Sequence, residues 1–352
     1  MPNAIPMPLL ALFQQELVGT WANLDFGLDA QNNPVGGPDN PLSYCLMPLP
    51  QPLTALPTPG YILKNFNYHE VLKFNGPFNP ADPGDPIAIA AEAANRGGMA
   101  AGQAISQNCR ALFYEQQVQF AQGPATGSVI HVENGCWLWL PEFVQQDGPY
   151  AGTYDPSAVP PYKQDIDMTP APAPMLTSIA RQTSVPHGNS ILALGTTDLA
   201  FRPGSPTIPV AVSSLPVGLA NTAAYTTQQP QNLTPPAPGA PQAAILDYQN
   251  YQNPSVSNTL APNQVLQQAV DIIQPDSFLF FSIATNPGGS VTNIPFEQKA
   301  SNVSDYSAQF WIMKKGSKKY LAYSQTILMV FTINGQQFTF PHITANTVTF
   351  GG

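Results

Sequence analysis

Few residues in this chain could start chemistry. There are four histidines, His69, His131, His187 and His342, with no HExxH pair, no His-x-His and no Cys-His cluster, so a preformed zinc site has no support. Cys45, Cys109 and Cys136 stand far apart and in no CxxC spacing, which leaves room for one bridge at most. Neither a G-x-S-x-G elbow nor a glycine-rich phosphate loop occurs, so hydrolase and nucleotide chemistry lack their usual signatures. The histidine with most promise is His342. In the strand-like "PHITANTV" it shares one face with Thr344, Asn346 and Val348, while Ile343, Ala345 and Thr347 share the other. By the same period of two, His131 shares a face with Glu133, which predicts a His–Glu contact. His187, in "VPHGNS", reads as a turn residue.

The elements that must position these side chains are mostly strands. Nine blocks rich in aromatic and branched residues span 17–26, 65–74, 110–120, 128–140, 189–201, 276–285, 306–315, 319–331 and 338–350. Their number and order predict an all-β fold, an antiparallel up-and-down barrel of about ten strands that encloses a cavity, though a two-sheet sandwich fits the same count. A few short helices are expected. Asp85-Pro86 opens "IAIAAEAANR", which Gly97-Gly98 ends, and Pro262 opens "NQVLQQAVDIIQ". In the second, Val265, Leu266, Ala269, Val270 and Ile273 form one apolar face. The N-terminal "PMPLLALFQQEL" reads as a small amphipathic helix.

Between the blocks lie long Pro-rich insertions, at about 27–60, 76–108, 141–178 and 202–275, within one domain covering 1–352. Forty prolines and only 9% charged residues mean that neutral side chains must cover much of the surface, and they suit packing on the barrel or on a second copy in a homo-oligomer. The net charge of −9 argues against nucleic acid. Lys314, Lys315, Lys318 and Lys319 flank Gly316-Ser317 as a charged hairpin tip. With no basic leader and no long apolar run, the chain reads as cytoplasmic and without a membrane span.

Four short motifs in order, Gly19-Thr20-Trp21, Tyr68-x-Glu70, then His131, Glu133, Gly135 and Trp137, and finally His342 on the closing strand, resemble the nitrobindin-like haem proteins of the calycin superfamily. The resemblance covers about half the chain and implies a ten-stranded barrel like that of fatty-acid-binding proteins. It also implies haem b as cofactor, held by His342 on iron. Thr20, Trp21, His131, Trp137, Arg181, Met329 and Phe340 are then expected near the cofactor, with Phe331 and Trp139 as further wall residues and Arg181 or Arg110 facing a propionate. His131 and His69 are candidates for the opposite side of the ring. A single axial histidine would leave iron open to NO, peroxide or peroxynitrite, so peroxynitrite isomerase or peroxidase-like activity is the implied chemistry, with no catalytic residue assigned. The chain departs from the pattern in its length and in "ANLDFG", which stands where a second W-x-G is expected. Independently of the family, a porphyrin needs an apolar slot of roughly 300–1,000 Å³, a neutral imidazole and a group that fixes its tautomer. Two other readings stay open: a haem-free barrel carrying a lipid or other hydrophobic ligand, and a structural barrel whose insertions serve assembly.

Overall fold

A computed structural model describes residues 16–23, 43–50, 60–75, 91–94, 106–121, 127–139, 179–185, 188–198, 200–209, 244–250, 262–286, 288–295, 301–333 and 336–351. Its strands are β1 (Gly19–Asn23), β2 (Ser43–Pro50), β3 (Gly60–Phe66), β4 (Tyr68–Asn75), β5 (Ala91–Ala94), β6 (Ser106–Phe120), β7 (Val129–Trp139) and β8 (Ile179–Val185). They continue as β9 (Asn189–Thr197), β10 (Arg202–Pro203), β11 (Ala244–Asn250), β12 (Ser277–Ala284), β13 (Ser290–Asn293), β14 (Asn302–Lys315), β15 (Lys318–Ile333) and β16 (Gln336–Phe350). Helix α1 spans Gln264–Ile273.

Ten of these strands form a closed antiparallel barrel in chain order, β1-β4-β6-β7-β8-β9-β12-β14-β15-β16. Closure is made by β1, which pairs β4 through Trp21 and Leu72 and β16 through Trp21 and Phe350. The outer edge of β16 is shared. Its last residues pair β1, while Ile343 to Asn346 pair β2, which continues into β3 and the parallel β11. The up-and-down barrel is therefore observed, with a three-stranded spur attached beside the seam.

Alternation along each strand divides the apolar residues into two layers. On β14, Tyr306, Ala308, Phe310 and Ile312 face a cluster that includes Trp21, Leu72, Leu112, Trp137, Leu279, Phe281 and Leu321, the barrel interior. Trp311 and Met313 face the other way, with Tyr320, Ala322, Ile343 and Ala345, and are covered by α1. All five residues predicted for the apolar face of α1 are buried there. Ile208 is buried in the same layer, and its backbone N–H donates 3.0 Å to Gln267 on the helix. Of the 202–275 insertion, α1 and Ile208 thus pack on the barrel's outside, while β10 pairs β12 and β11 extends the spur.

Two expectations change. The helix expected after Pro86 is overturned over Ala91–Ala94, which form β5 against Ser106–Cys109. Those residues of β6 project beyond its pairings with both β4 and β7, so backbone groups needing partners outweigh the helix propensity of an alanine-rich stretch. The block 65–74 is two strands, broken at Asn67. Only Glu16 and Leu17 of the expected N-terminal helix are described, and both are helical. His187 lies outside the described residues. The lysine run does turn at Gly316, whose φ of +55° suits glycine, and Asp276 binds Lys315 at 2.9 Å. Among the described residues no helix is long and apolar enough to cross a membrane.

Successive connections in such a barrel exit at alternate ends. Those after β4, β7 and β9, which run through 76–105, 140–178 and 198–276, leave from the end where the β14–β15 hairpin turns. The opposite end carries the tight connections 121–128, 186–188 and 334–335, together with 24–67 and 285–301.

Candidate functional site

The apolar end of the interior is filled by rings. Phe281 stacks on Phe310 with centroids 4.8 Å apart, and Trp137 meets both edge-on at 5.4 and 5.2 Å. Trp21, fully buried, donates its indole N–H to Leu17 O at 2.7 Å and meets Phe350 edge-on at 5.2 Å. Thr20 sits beside it on β1, and its carbonyl accepts the Gly351 N–H at 2.8 Å.

Above these rings the interior becomes a belt of polar side chains. Arg181 on β8 is its centre. Nε donates to Tyr114 Oη at 2.8 Å, Nη1 to Gln325 Oε1 at 2.6 Å and to Tyr306, and Nη2 to the Glu133 carboxylate. Tyr114 also donates to Glu133 at 2.5 Å, and Tyr306 to Gln325 at 2.8 Å. The guanidinium lies over the Tyr114 ring at 4.8 Å. Burial alone would raise the Glu133 carboxyl, but Arg181, His131 and Tyr114 outweigh it and hold the group at about 2. Burial would likewise lower Arg181, and Glu133 with the two tyrosines holds it well above the usual arginine range.

Gly135 makes room for this arrangement. A Cβ there would lie 2.2 Å from the backbone oxygen of Gln182 and 2.8 Å from Tyr114 Oη, so the missing side chain admits both the β8 backbone and the phenol that bridges Glu133 and Arg181.

A second network, a few residues round the belt, centres on Glu70. It accepts from Gln116 Nε2 at 2.6 Å, Tyr323 Oη at 2.6 Å and Asn346 Nδ2 at 2.8 Å. Tyr68 Oη stands 2.9 Å from Tyr323 Oη, and since Tyr323 spends its proton on Glu70, Tyr68 is the donor between them. Among the described residues no lysine, arginine or histidine forms an ion pair with Glu70. Burial pushes its carboxyl up despite the three donors.

His342 occupies the inward register of β16 two residues before Thr344, which accepts from Gln325 at 3.2 Å. It is half-buried, opposite Ile327 on β15, and its Nδ1 lies 2.8 Å from Leu46 O on β2. A carbonyl only accepts, so Nδ1 carries the proton and a neutral ring keeps its lone pair on Nε2. His131 stands two residues before Glu133, with Nε2 3.5 Å from Oε2, as the shared face predicts. Because β7 and β16 are the fourth and tenth barrel strands and run the same way, His131 and His342 both lie on the tight-turn side of the belt.

The other residues singled out by sequence are divided between layers. Trp21, Trp137 and Arg181 lie in or beside the interior ring stack, whereas Phe340, Phe331 and Met329, on the strand faces that carry His342 and Tyr323, pack in the buried cluster that also takes in α1. All three nitrogens of Arg181 are engaged inside the barrel, so a propionate there would have to displace one of these bonds. His69 falls on the face of β4 opposite Glu70. The side chains of Arg110 and Trp139 lie outside the described part. Sequence reading missed Gln116, Tyr306, Tyr323, Gln325 and Asn346. The signal that marks all of these but Tyr306 is a polar pair at i, i+2, found on β4, β6, β7 and β8 as Tyr68/Glu70, Tyr114/Gln116, His131/Glu133 and Arg181/Thr183, and on β15 and β16 as Tyr323/Gln325 and Thr344/Asn346.

Fold and interior together define a closed ten-stranded antiparallel barrel, apolar at one end and crossed by a buried polar belt. No protein-family model matches the chain, and no curated protein matches it. Among solved structures, that of Rv2717c from M. tuberculosis aligns over 99% of this chain and all of its own, at 11% identity and a TM-score of 0.36. The fold assignment accordingly stands on the strand pairing.

Proposed function

We propose that this barrel binds haem b through His342 as its one protein ligand to iron. The observation that carries the reading is the His342 Nδ1 contact with the Leu46 carbonyl, which fixes the tautomer whose Nε2 can coordinate. Among the described residues no three His, Cys, Asp or Glu side chains gather as a metal site, and a lone imidazole holds iron only when a macrocycle supplies the remaining ligands. The donor therefore suits haem better than a bare ion. Bound haem with one imidazole would offer its sixth position to NO, peroxide or peroxynitrite.

The chain's own residues then have distinct tasks. Leu46 on β2 orients the imidazole. The buried belt, whose groups already satisfy one another, would close the inner side of the site. His131, backed by Glu133 and on the same side of the belt as His342, would take or give a proton there. Arg181 acts through Glu133, holding that carboxylate charged and in place.

The test is an absorption spectrum of the full chain titrated with hemin, for wild type and His342→Ala. A Soret band in the wild type that shifts or is lost in the variant supports the assignment. Absence of hemin uptake by the wild type removes it, and uptake of an apolar dye in that case favours the hydrophobic carrier. An unchanged Soret band in His342→Ala would remove His342 as the ligand.

A further inference from the structure

The interior contains two tyrosine–glutamate pairs with opposite chemistry. In one, Tyr114 donates to Glu133, whose charge is already matched by Arg181. In the other, Tyr323 donates 2.6 Å to Glu70, to which no cation pairs among the described residues, and it accepts from Tyr68 at 2.9 Å. We propose that Tyr323 is a redox-active residue that yields one electron to a one-electron oxidant while its phenolic proton moves along the hydrogen bond to Glu70.

The balance is simple. The Tyr323 O–H bond breaks heterolytically toward Glu70 Oε2, which becomes a neutral carboxylic acid. One electron leaves the ring for the oxidant, here a ruthenium(III) polypyridyl complex reduced to ruthenium(II), and a neutral tyrosyl radical remains. Return of the electron brings the proton back. Oxidising a phenol without removing its proton leaves a strongly acidic cation in a low-dielectric interior, so a base already within hydrogen-bond distance decides which tyrosine can be oxidised.

Glu70 is that base. Its surroundings are Gln116 on β6, Tyr323 on β15, Asn346 on β16 and Asn23 on β1, all neutral, with Tyr68 and Cys45 beyond and the charged Glu133 as the nearest like group. Burial raises its carboxyl and so favours taking up a proton, whereas Arg181 keeps Glu133 at about 2 and makes it a poor acceptor for Tyr114. Gln116 and Asn346 hold the carboxyl in place in either state. Tyr68 donates to the phenolic oxygen before and after oxidation, which stabilises the radical. Full burial of Tyr68 and Tyr323 keeps the radical from meeting another molecule's.

This assignment needs no prosthetic group, so a failed hemin titration leaves it standing. The full chain is oxidised by flash photolysis with the ruthenium complex and persulfate, frozen after surface radicals have decayed, and read by electron paramagnetic resonance. The expected result is a long-lived neutral tyrosyl signal, lost in Tyr323→Phe and in Glu70→Gln and retained in Tyr114→Phe. Wild type alone gives a second readout that does not depend on any variant folding. After exchange into deuterium oxide, the radical oxygen should show two exchangeable hydrogen bonds, one from Tyr68 and one from protonated Glu70. An unchanged signal in folded Tyr323→Phe, or a wild-type radical without two exchangeable couplings, overturns the proposal.

Discussion

Replacing Glu133 by glutamine removes one negative charge from the barrel interior and leaves the shape almost unchanged. The amide oxygen would still accept from Tyr114, but Arg181 would keep its charge with only neutral partners. Breaking a buried pair on one side costs about 3–5 kcal/mol. An independent route gives a similar figure. The Glu133 carboxyl moves from 4.5 to about 2 on folding, and at about 1.36 kcal/mol per pH unit that corresponds to about 3 kcal/mol. The sign follows from the direction. A carboxyl held below its unfolded value stabilises the fold fully above about pH 4.5, and the contribution disappears as pH falls toward 2. Urea unfolding followed by tryptophan fluorescence should therefore place Glu133→Gln about 3 kcal/mol below wild type at pH 7, with the gap narrowing steadily at pH 4 and pH 3. Combining it with Arg181→Met, which removes the stranded cation, should restore part of the loss, because an isolated charge costs more than an apolar replacement. A pH 7 gap under about 1 kcal/mol, or a gap that does not shrink with acid, would refute this account of the belt.

Gly135→Ala should force apart the Gln182 carbonyl on β8 and the Tyr114 phenol and lower stability by about 1–3 kcal/mol, visible as an earlier urea midpoint with an unchanged slope. Leu266→Ala opens a cavity between α1 and the outer face of the barrel, where Leu266 is completely buried, and should cost about 2–5 kcal/mol by the same measurement. An effect below about 0.5 kcal/mol would mean that α1 is not docked where it stands.

The nine apolar blocks correspond to nine of the ten barrel strands, because in each the period of two is carried by side chains that sequence recognises as hydrophobic. The tenth, β8, reads "IARQTSV". Its inward residues include Arg181 and Thr183, so the strand that supplies Arg181 to the belt looks like a polar loop until its neighbours are known. The belt is hidden for the same reason. Gln116, Gln325 and Asn346 are ordinary surface residues by composition, and only the register of separate strands brings them to Glu70 and Arg181. His342 is legible because it stands in a long apolar strand. Its bond to Leu46 is not, because β2, "SYCLMPLP", carries two prolines and lies beyond a long connection. The β5 segment reads as helix since alanine favours a helix locally, and nothing local reports the unpaired end of β6.

The seam between β1 and β16 has a consequence for how the molecule comes into being. Trp21 and Phe350 pair directly across it, at opposite ends of the described chain. During synthesis β1 emerges before the other nine barrel strands and must wait with one edge open until β16, made after the rest of them, reaches it. Until then nine strands form an open, curling sheet whose apolar face and two bare edges can join those of another nascent chain. Barrel closure thus waits for the last of the ten strands, and it is slow because its defining contact joins residues more than three hundred positions apart. Any change that weakens the β1–β16 pairing should reduce the yield of folded protein in the cell before it measurably alters the protein that does fold.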